Sequence, residues 1–553
     1  MSKQWRAVFF GAVAFLAVVI IELATPPRAD AIPAFSRQYN TSCSTCHIDF
    51  PKLNDFGKAF KDAGFKFPTD DESMLKVPPV MLGAPANKEL WPHAIWPGTI
   101  PGLPPIGLRF NSYFQVVGKS RGNFNPFLPL TPTLTDPSGV PGFVPRTDFE
   151  PGFFSIFTAG NFGSDIAFWV DDDISVGGAN KNGTLGDGYL RFVNIGRFLR
   201  LPKDALTFRI GQFELDLPFT QARAYDISPY DIYTQANFGA TNALFPQQNV
   251  ANAFNFNATP LQTNGVEFSG GHNYGGYHYS VAFVDQNTGN PIDTGTFVPS
   301  ATGGNNGGLG FFSDSNFKDI YSRFSYRFNL ERNPESRHSI QAAGPTGPRD
   351  HTYIRLGVYD FYGRSAQRFS AAGGTTLTAH EPFYRLGGDL DFGYHGVFNI
   401  FGLFMYGRDH NLLPVNAEGA LLPLPLPADA TVAGFVHGAA ATFSGGFLQA
   451  DYLVYPWMML IMRWDSVHST GDLLNGAGFI GGTAPEFTNY PLPFSSTRNR
   501  YTPGVQFLIH ANIKASFEYL VRPQQAVIVN ATTGLPVQPF RVNAATAGLE
   551  FVY

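Results

Sequence analysis

Along most of the chain, apolar and polar residues alternate with a period of two, the pattern of strands with two unlike faces. In the final segment Ala545, Ala547, Leu549, Phe551 and Tyr553 share one face, and Thr546, Gly548 and Glu550 share the other. Ile513, Ala515, Phe517, Tyr519 and Val521 alternate in the same way with Lys514, Ser516, Glu518 and Arg522. Ile320, Ser322, Phe324, Tyr326 and Phe328 alternate with Tyr321, Arg323, Ser325 and Arg327. Sixteen such segments follow Leu103, from 108–117 to 541–553, and they include 353–362, 384–393 and 503–509. A soluble sandwich and a membrane barrel share this periodicity, but connection lengths separate them. Long links follow the odd segments. Short ones follow the even segments, as at Gly160–Ser164, Gly196–Asp204, Tyr394–Gly396 and Pro456; Asn329–Thr352 is the exception. An even count with alternating short and long links, charges on one face and aromatics on the other, predicts an all-β transmembrane barrel of about 16 antiparallel strands. Closure satisfies every backbone group in lipid. The even count places both ends of the barrel on the periplasmic side. Long links such as Asn287–Gly310, rich in Gly and Asn, read as solvated external loops.

Composition narrows the class. Only 15% of the 553 residues are charged, against roughly 25% in typical soluble proteins. The net charge of −5 gives no basic footprint, so a nucleic-acid partner is not expected. The one long apolar run, Ala7–Ile21, follows Lys3 and Arg6 and precedes Ala29-Asp30-Ala31. This is the layout of a secretory signal peptide over residues 1–31. The run is short of the ~20 residues that a helical span needs. The rest of the chain is therefore expected outside the cytoplasm.

The two cysteines carry the chemistry. They stand in Cys43-Ser44-Thr45-Cys46-His47, the attachment string of a c-type haem. Two thiols add to the two vinyl groups from one face, and the next residue's imidazole ligates the iron. Random placement of two cysteines and twelve histidines gives this string less than about once in ten thousand. A thioredoxin-like pair wants a βαβ context that is absent, and a second such string, as in di-haem peroxidases, is absent too. Pro51 and Gly64 read as the start and end of a helix, with Leu53, Phe56, Phe60 and Ala63 on one face. Phe56 and Phe60 are placed to wall a haem or to pack on the barrel. For a second axial ligand the candidates are Met74, Met81 and His93. Met81, in the rigid string Pro78-Pro79-Val80-Met81, is the first choice. Arg37 is a candidate partner for a haem propionate.

Other signals are weaker. Gly118-Lys119-Ser120-Arg121-Gly122 matches an esterase string but lacks the strand–turn–helix setting that chemistry needs. Asp171-Asp172-Asp173 reads as a solvated turn closing a strand. Asp451, Asp465, Glu518 and Glu550 point to the polar face, as ordinary lumen polarity or as attractors of cations.

The stretch Ile32–Arg37, then Cys43–His47, then Phe50-Pro51-Lys52-Leu53-Asn54-Asp55-Phe56-Gly57-Lys58-Ala59-Phe60-Lys61-Asp62-Ala63-Gly64-Phe65, resembles the N-terminal cytochrome of the fused outer-membrane monohaem cytochrome c–porins, the Cyc2-like iron-oxidising cytochrome family. The resemblance covers about 35 residues; the barrel shares only its architecture and the closing aromatic Tyr553. It implies one covalent haem c held by Cys43, Cys46 and His47, plugging a roughly 16-stranded barrel. It implies electron flow from extracellular Fe(II) to a periplasmic cytochrome or copper-protein acceptor. The expected domains are a signal peptide over 1–31, a monohaem cytochrome domain and linker over 32–102, and an outer-membrane β-barrel over 103–553, with the haem domain tethered from the periplasmic side. The alternatives are a porin or solute channel with an accessory haem domain, and a periplasmic electron-transfer cytochrome.

Overall fold

The computed structural model describes residues 34–39, 41, 43–49, 51–67, 80–81, 99–100, 106–117, 146–150, 153–162, 165–175, 184–220, 225–234, 262–285, 318–330, 352–370, 376–409, 412–421, 432–437, 441–469, 497–510, 512–522 and 543–552. The proposed signal peptide lies outside them.

Sixteen antiparallel strands close into one barrel. They are β1 (Ile106–Val117), β2 (Arg146–Glu150, resumed at Phe153–Phe162), β3 (Ile166–Ser175), β4 (Thr184–Phe192), β5 (Thr207–Glu214), β6 (Gln262–Gly271), β7 (Gly276–Asp285) and β8 (Asp319–Asn329). The circuit continues with β9 (Tyr353–Ser370), β10 (Thr376–Tyr394), β11 (Phe398–Asp409), β12 (Ala441–Tyr455), β13 (Met458–Ser469), β14 (Thr497–His510), β15 (Ile513–Leu520) and β16 (Ala544–Val552). β1 pairs with both pieces of β2, and the ring shuts where β16 meets β1, with Ala544 opposite Val117 and Val552 opposite Arg109. Each predicted segment falls on one of these strands. β9 and β10 run well past 362 and start well before 384, because the hairpin between them extends beyond its neighbours as a paired ribbon from Gly363↔Phe383 to Ser370↔Thr376.

The alternation sorts as expected. On β8, Tyr321, Arg323, Ser325 and Arg327 are buried inward, while Phe324, Tyr326 and Phe328 are exposed outward. Leu356, Leu390, Phe404, Leu448, Leu460 and Leu549 continue this exposed apolar surface around the ring. Such an exterior, with arginines and carboxylates inside, inverts a soluble protein and matches a wall facing lipid. No helix among the described residues is long and apolar enough to cross a membrane; the strands do the spanning. Short turns gather at one end, for example His395–Val397, where His395 and Gly396 take positive φ. The long 330–352 link falls at this same end and is closed at its base by Leu330 N–H donating to Thr352 O at 2.9 Å.

One connection corrects the sequence reading. The link after β5 was expected as a solvated external loop, but residues 215–220 and 225–234 fold into the lumen and cross it. Asp216 meets His278 at 2.8 Å on β7 and Arg323 at 3.5 Å on β8. Tyr230 stacks on Phe447 of β12 at 4.0 Å between centroids. On the far wall Arg463 donates to Asp226 at 2.9 Å, to Asp465 at 2.9 Å and to Ser228 Oγ at 2.7 Å. Arg500 pairs with Asp231 at 2.9 Å and Asp465 at 2.8 Å, and Glu518 accepts from the backbone N–H groups of Ile227 and Ser228. The segment is a diaphragm, and the main apolar cluster of the molecule, including Leu217, Tyr230, Tyr233, Tyr321, Phe361 and Phe447, is packed inside the barrel around it.

Arg463 and Arg500 hold these carboxylates at almost zero exposure, so removing one cation leaves buried charge uncompensated. Arg463→Ala is expected to cost about 3–5 kcal/mol. The readout is a lower temperature for converting the folded, fast-migrating form to the unfolded one on detergent gels. Arg463→Lys, which keeps the charge but not the fork, should lose less. An unchanged transition in Arg463→Ala would contradict the clamp.

Candidate functional site

Within the lumen, on the short-turn side of the diaphragm, sits the segment 34–67. It begins with α1 (Ala34–Tyr39) and a single 3-10 turn, Cys43–Thr45. A two-stranded ribbon follows, His47–Asp49 against Lys52–Leu53, and then α2 (Asp55–Asp62). The turn is closed by Cys46 N–H donating to Cys43 O at 3.1 Å. Positions i and i+3 of such a turn are neighbours, so the two cysteines stand one turn apart. No disulfide joins them.

Asn54 ties this turn to the helix. Its Oδ1 accepts from Gly57 N–H at 2.9 Å as the N-cap of α2. Its Nδ2 donates to Ser44 O at 3.1 Å and Thr45 O at 3.0 Å, and its backbone N–H donates to Cys46 O at 2.9 Å. Gly57 is where the turn meets the helix: a Cβ there would lie 2.1 Å from Cys46 O. The helix therefore starts at Asp55, not at Pro51 as the sequence suggested, because Lys52–Leu53 is taken by the ribbon and Asn54 supplies the cap. Its end is as expected, with Gly64 at φ 79°.

The segment is fastened to the wall by charge and by aromatic packing. Asp55 accepts two hydrogen bonds from Arg327 of β8, at 2.5 and 2.8 Å, with the guanidinium 3.6 Å above the Tyr353 ring. Lys52 pairs with Asp451 at 3.4 Å, bonds Asn399, and lies 4.7 Å from the Phe401 ring. At the other end of α2, Arg191 donates to Lys61 O at 2.9 Å. Phe35, Tyr39, Phe60, Phe65 and Phe67 pack together and onto Trp169, Ala159 and Ala167 of the wall, with Tyr39 stacked on Phe67 at 4.2 Å and Phe65 5.5 Å from Trp169. Phe56 joins them edge-on to Phe67 at 5.1 Å.

Burial sets the titration of the segment. It pushes the Cys46 thiol up to about 12 and raises Cys43 as well. It lowers His47 to about 4, which keeps the imidazole neutral, the form that ligates metals, at neutral pH. Burial also opposes ionisation of Asp55, but Lys58 and Arg327 together outweigh it and hold the carboxyl at about 2. Two thiols one turn apart, followed by a neutral imidazole, are a donor set that fits covalent haem. Among the described residues no group of three or more His, Cys, Asp or Glu is arranged to hold a metal ion.

The remaining sequence candidates divide. Met81 lies in a two-residue strand opposite Thr99; its side chain, that of Arg37, and residues Met74 and His93 fall outside the described residues, as does the 118–122 string. Asp171–Asp173 does not close a strand, since β3 continues to Ser175 opposite Phe153, and Asp171 accepts from the Asp187 N–H. Asp451, Asp465, Glu518 and Glu550 do face inward, but each is bonded: Glu550, for example, pairs with Arg109 at 2.6 Å and Lys514 at 3.0 Å. They are occupied in holding the plug, the diaphragm and the wall. Sequence reasoning missed the diaphragm and the Asp55–Arg327 pair. The density of Tyr and Asp in 225–233, unlike the Gly- and Asn-rich links, is the signal that could have found the former.

No family model matches the chain, and no curated protein does. Among solved structures it is similar to the outer membrane channel DcaP of Acinetobacter baumannii, at 8% identity over 81% of this chain and 96% of that one, TM-score 0.40. It is similar to an anion-selective porin from Comamonas acidovorans, at 10% identity over 81% and 98%, TM-score 0.40. It is also similar to OprB of Pseudomonas putida, at 10% identity over 81% and 94%, TM-score 0.41. The fold assignment rests on the chain's own ring of strands: closed, even-numbered, apolar outside and polar inside, it is a porin-like outer-membrane β-barrel.

A carboxyl held at about 2 in the folded chain and near 3.8 when free favours docking above about pH 4 and loses that contribution as pH falls toward 2. Pepsin cleavage around Phe56 and Phe60 is therefore expected to rise across that window. At neutral pH, Arg327→Ala should speed tryptic cutting at Lys58 and Lys61, and Arg327→Lys should recover part of the protection. Equal digestion of all three chains would contradict the pair's role.

Proposed function

We propose that the protein is an outer-membrane c-type cytochrome, accepting electrons from an extracellular donor, Fe(II) by preference, and passing them to a periplasmic cytochrome or copper protein. The observation that carries the reading is the single hydrogen-bonded turn that joins Cys43 to Cys46, with His47 next to it, fastened inside a closed membrane barrel. Cys43 and Cys46 would hold one haem c by thioether bonds and His47 would ligate its iron; Met81 is the proposed second axial ligand. The haem would supply a one-electron couple that the segment's own side chains do not offer at ordinary potentials. The protein's share is to tether, orient and shield. Asn54 and Gly57 seat the turn, Asp55 and Lys52 lock the segment to the wall, and the diaphragm separates it from the long-loop side. A bilayer blocks aqueous redox partners from each other, and ferric products precipitate; an oxidation completed at the outer surface leaves the precipitate outside.

The diaphragm and the plug place bonded charge and packed rings inside the barrel, which supports electron passage over solute passage. The outward Phe and Leu surface supports a membrane site over the soluble periplasmic alternative.

Stopped-flow mixing of the purified holoprotein with Fe(II) over a pH range is expected to show haem reduction, and Cys43→Ser with Cys46→Ser should abolish it. No reduction at any pH removes Fe(II) as donor. In planar bilayers the haem-loaded protein is expected to be nearly non-conducting; steady porin-sized currents would favour the solute channel instead.

A further inference from the structure

The β4–β5 connection, residues 193–206, is built unlike the other described turns at its end of the barrel. It contains a 3-10 helix, Ile195–Leu199, and three non-glycine residues in the left-handed region: Asn194 at φ 58°, Arg200 at 59° and Asp204 at 63°. That conformation is costly for a long side chain such as Arg, so its neighbours must fix it. Gly196 N–H donates to Leu206 O at 3.3 Å, Leu201 N–H to Gly196 O at 2.9 Å, and Asp204 N–H to Asn194 Oδ1 at 3.2 Å. The adjoining β6–β7 turn braces it through Gly271 N–H to Asp204 O at 2.9 Å and the Tyr279 hydroxyl to Ala205 O at 2.8 Å.

What this rigid turn displays is apolar. Phe198 is 75% exposed, Leu199 67% and Leu201 43%. Arg200 and Lys203, both exposed, are interleaved with them, and Arg197, also exposed, pairs with Asp165 at 2.7 Å. A turn facing only water has no use for three large apolar side chains held out by a strained backbone. The neighbouring surface says what meets them. The two strands entering the turn carry outward Leu190 and Ile210, and Phe192, Phe208 and Phe268 form an outward row at 5.9 and 5.2 Å. The display is thus continuous with the wall that faces lipid. The interleaved cations match phosphate, and long cationic side chains beside inserted apolar ones are the make-up of an interfacial anchor.

We propose that residues 195–203 form a phospholipid-binding anchor. Phe198, Leu199 and Leu201 enter the headgroup–acyl boundary of the leaflet on the short-turn side, and Arg200 and Lys203 engage lipid phosphates. The inference rests on the membrane-barrel reading and not on the haem.

The test places one nitroxide label on the full chain carrying Cys43→Ser and Cys46→Ser, in vesicles of phosphatidylethanolamine and phosphatidylglycerol, at Phe198→Cys, at Phe324→Cys in the outer belt, or at Glu418→Cys on an exposed hairpin. Collision rates with oxygen and with a water-soluble nickel chelate report depth. The oxygen-to-nickel ratio at 198 is expected to be several-fold above that at 418 and to approach that at 324. It should fall toward the 418 value when Arg200→Glu and Lys203→Glu are added. A ratio at 198 equal to that at 418, with 324 still lipid-like, overturns the anchor and assigns the turn to water or a soluble partner. A water-like ratio at 324 as well overturns the barrel reading beneath it. Retained heat-modifiable migration on detergent gels confirms that each labelled chain is folded.

Discussion

A guanidinium and a carboxylate taken out of water are each expensive, and the cost is met only when they find each other in good geometry. Arg327 and Asp55 do so with two hydrogen bonds and a ring beneath the cation. One partner belongs to the wall and the other to the head of α2, so the pair fixes where the cysteine turn sits inside the barrel. The same constraint governs the rest of the lumen. Arg463, Arg500 and their carboxylates do for the diaphragm what Arg327 does for the plug. A lipid-facing exterior forces polar residues inward, and inward charges, once the lumen is filled, must be paired. The filled lumen follows from how those pairs are spent.

This division explains what could be read along the chain. Lipid imposes a strict period of two, so each strand was legible, down to which face Phe324 and Arg323 would take. The Cys43–His47 string stands out along the chain because two thiols and an imidazole at that spacing match covalent haem attachment, but the turn that carries it, closed from Cys46 N–H to Cys43 O, is a structural fact. The diaphragm was not, because alternation assigns faces within strands and says nothing of where a link folds. The start of α2 was misjudged because Pro51 is a good first helical residue anywhere, and only the ribbon partner of Lys52–Leu53 and the cap at Asn54, both tertiary facts, displace it. The Asp55–Arg327 pair joins residues 272 apart in sequence, a distance over which no local pattern speaks.

The functional reading unites these parts. A porin-like barrel wastes its opening if it is filled with packed rings and paired charge. A redox group loses nothing by such filling, since exclusion of water and a fixed orientation are what a protein adds to a cofactor's own chemistry. The aromatic cluster of Phe35, Tyr39, Phe60, Phe65 and Phe67 against Trp169 gives the plug an apolar seat on one wall, and the lysine and aspartate contacts hold it against the others.

The proposed cytochrome requires a porphyrin joined by thioether bonds to Cys43 and Cys46 of a membrane-embedded chain. Its most direct test is the intact mass of the polypeptide extracted from outer membranes of cells that mature c-type cytochromes. The account predicts a mass increased by one haem, with the added mass surviving acidified acetone and lost in the double cysteine variant. A chain of bare polypeptide mass, or a haem that the acid solvent removes, would contradict it.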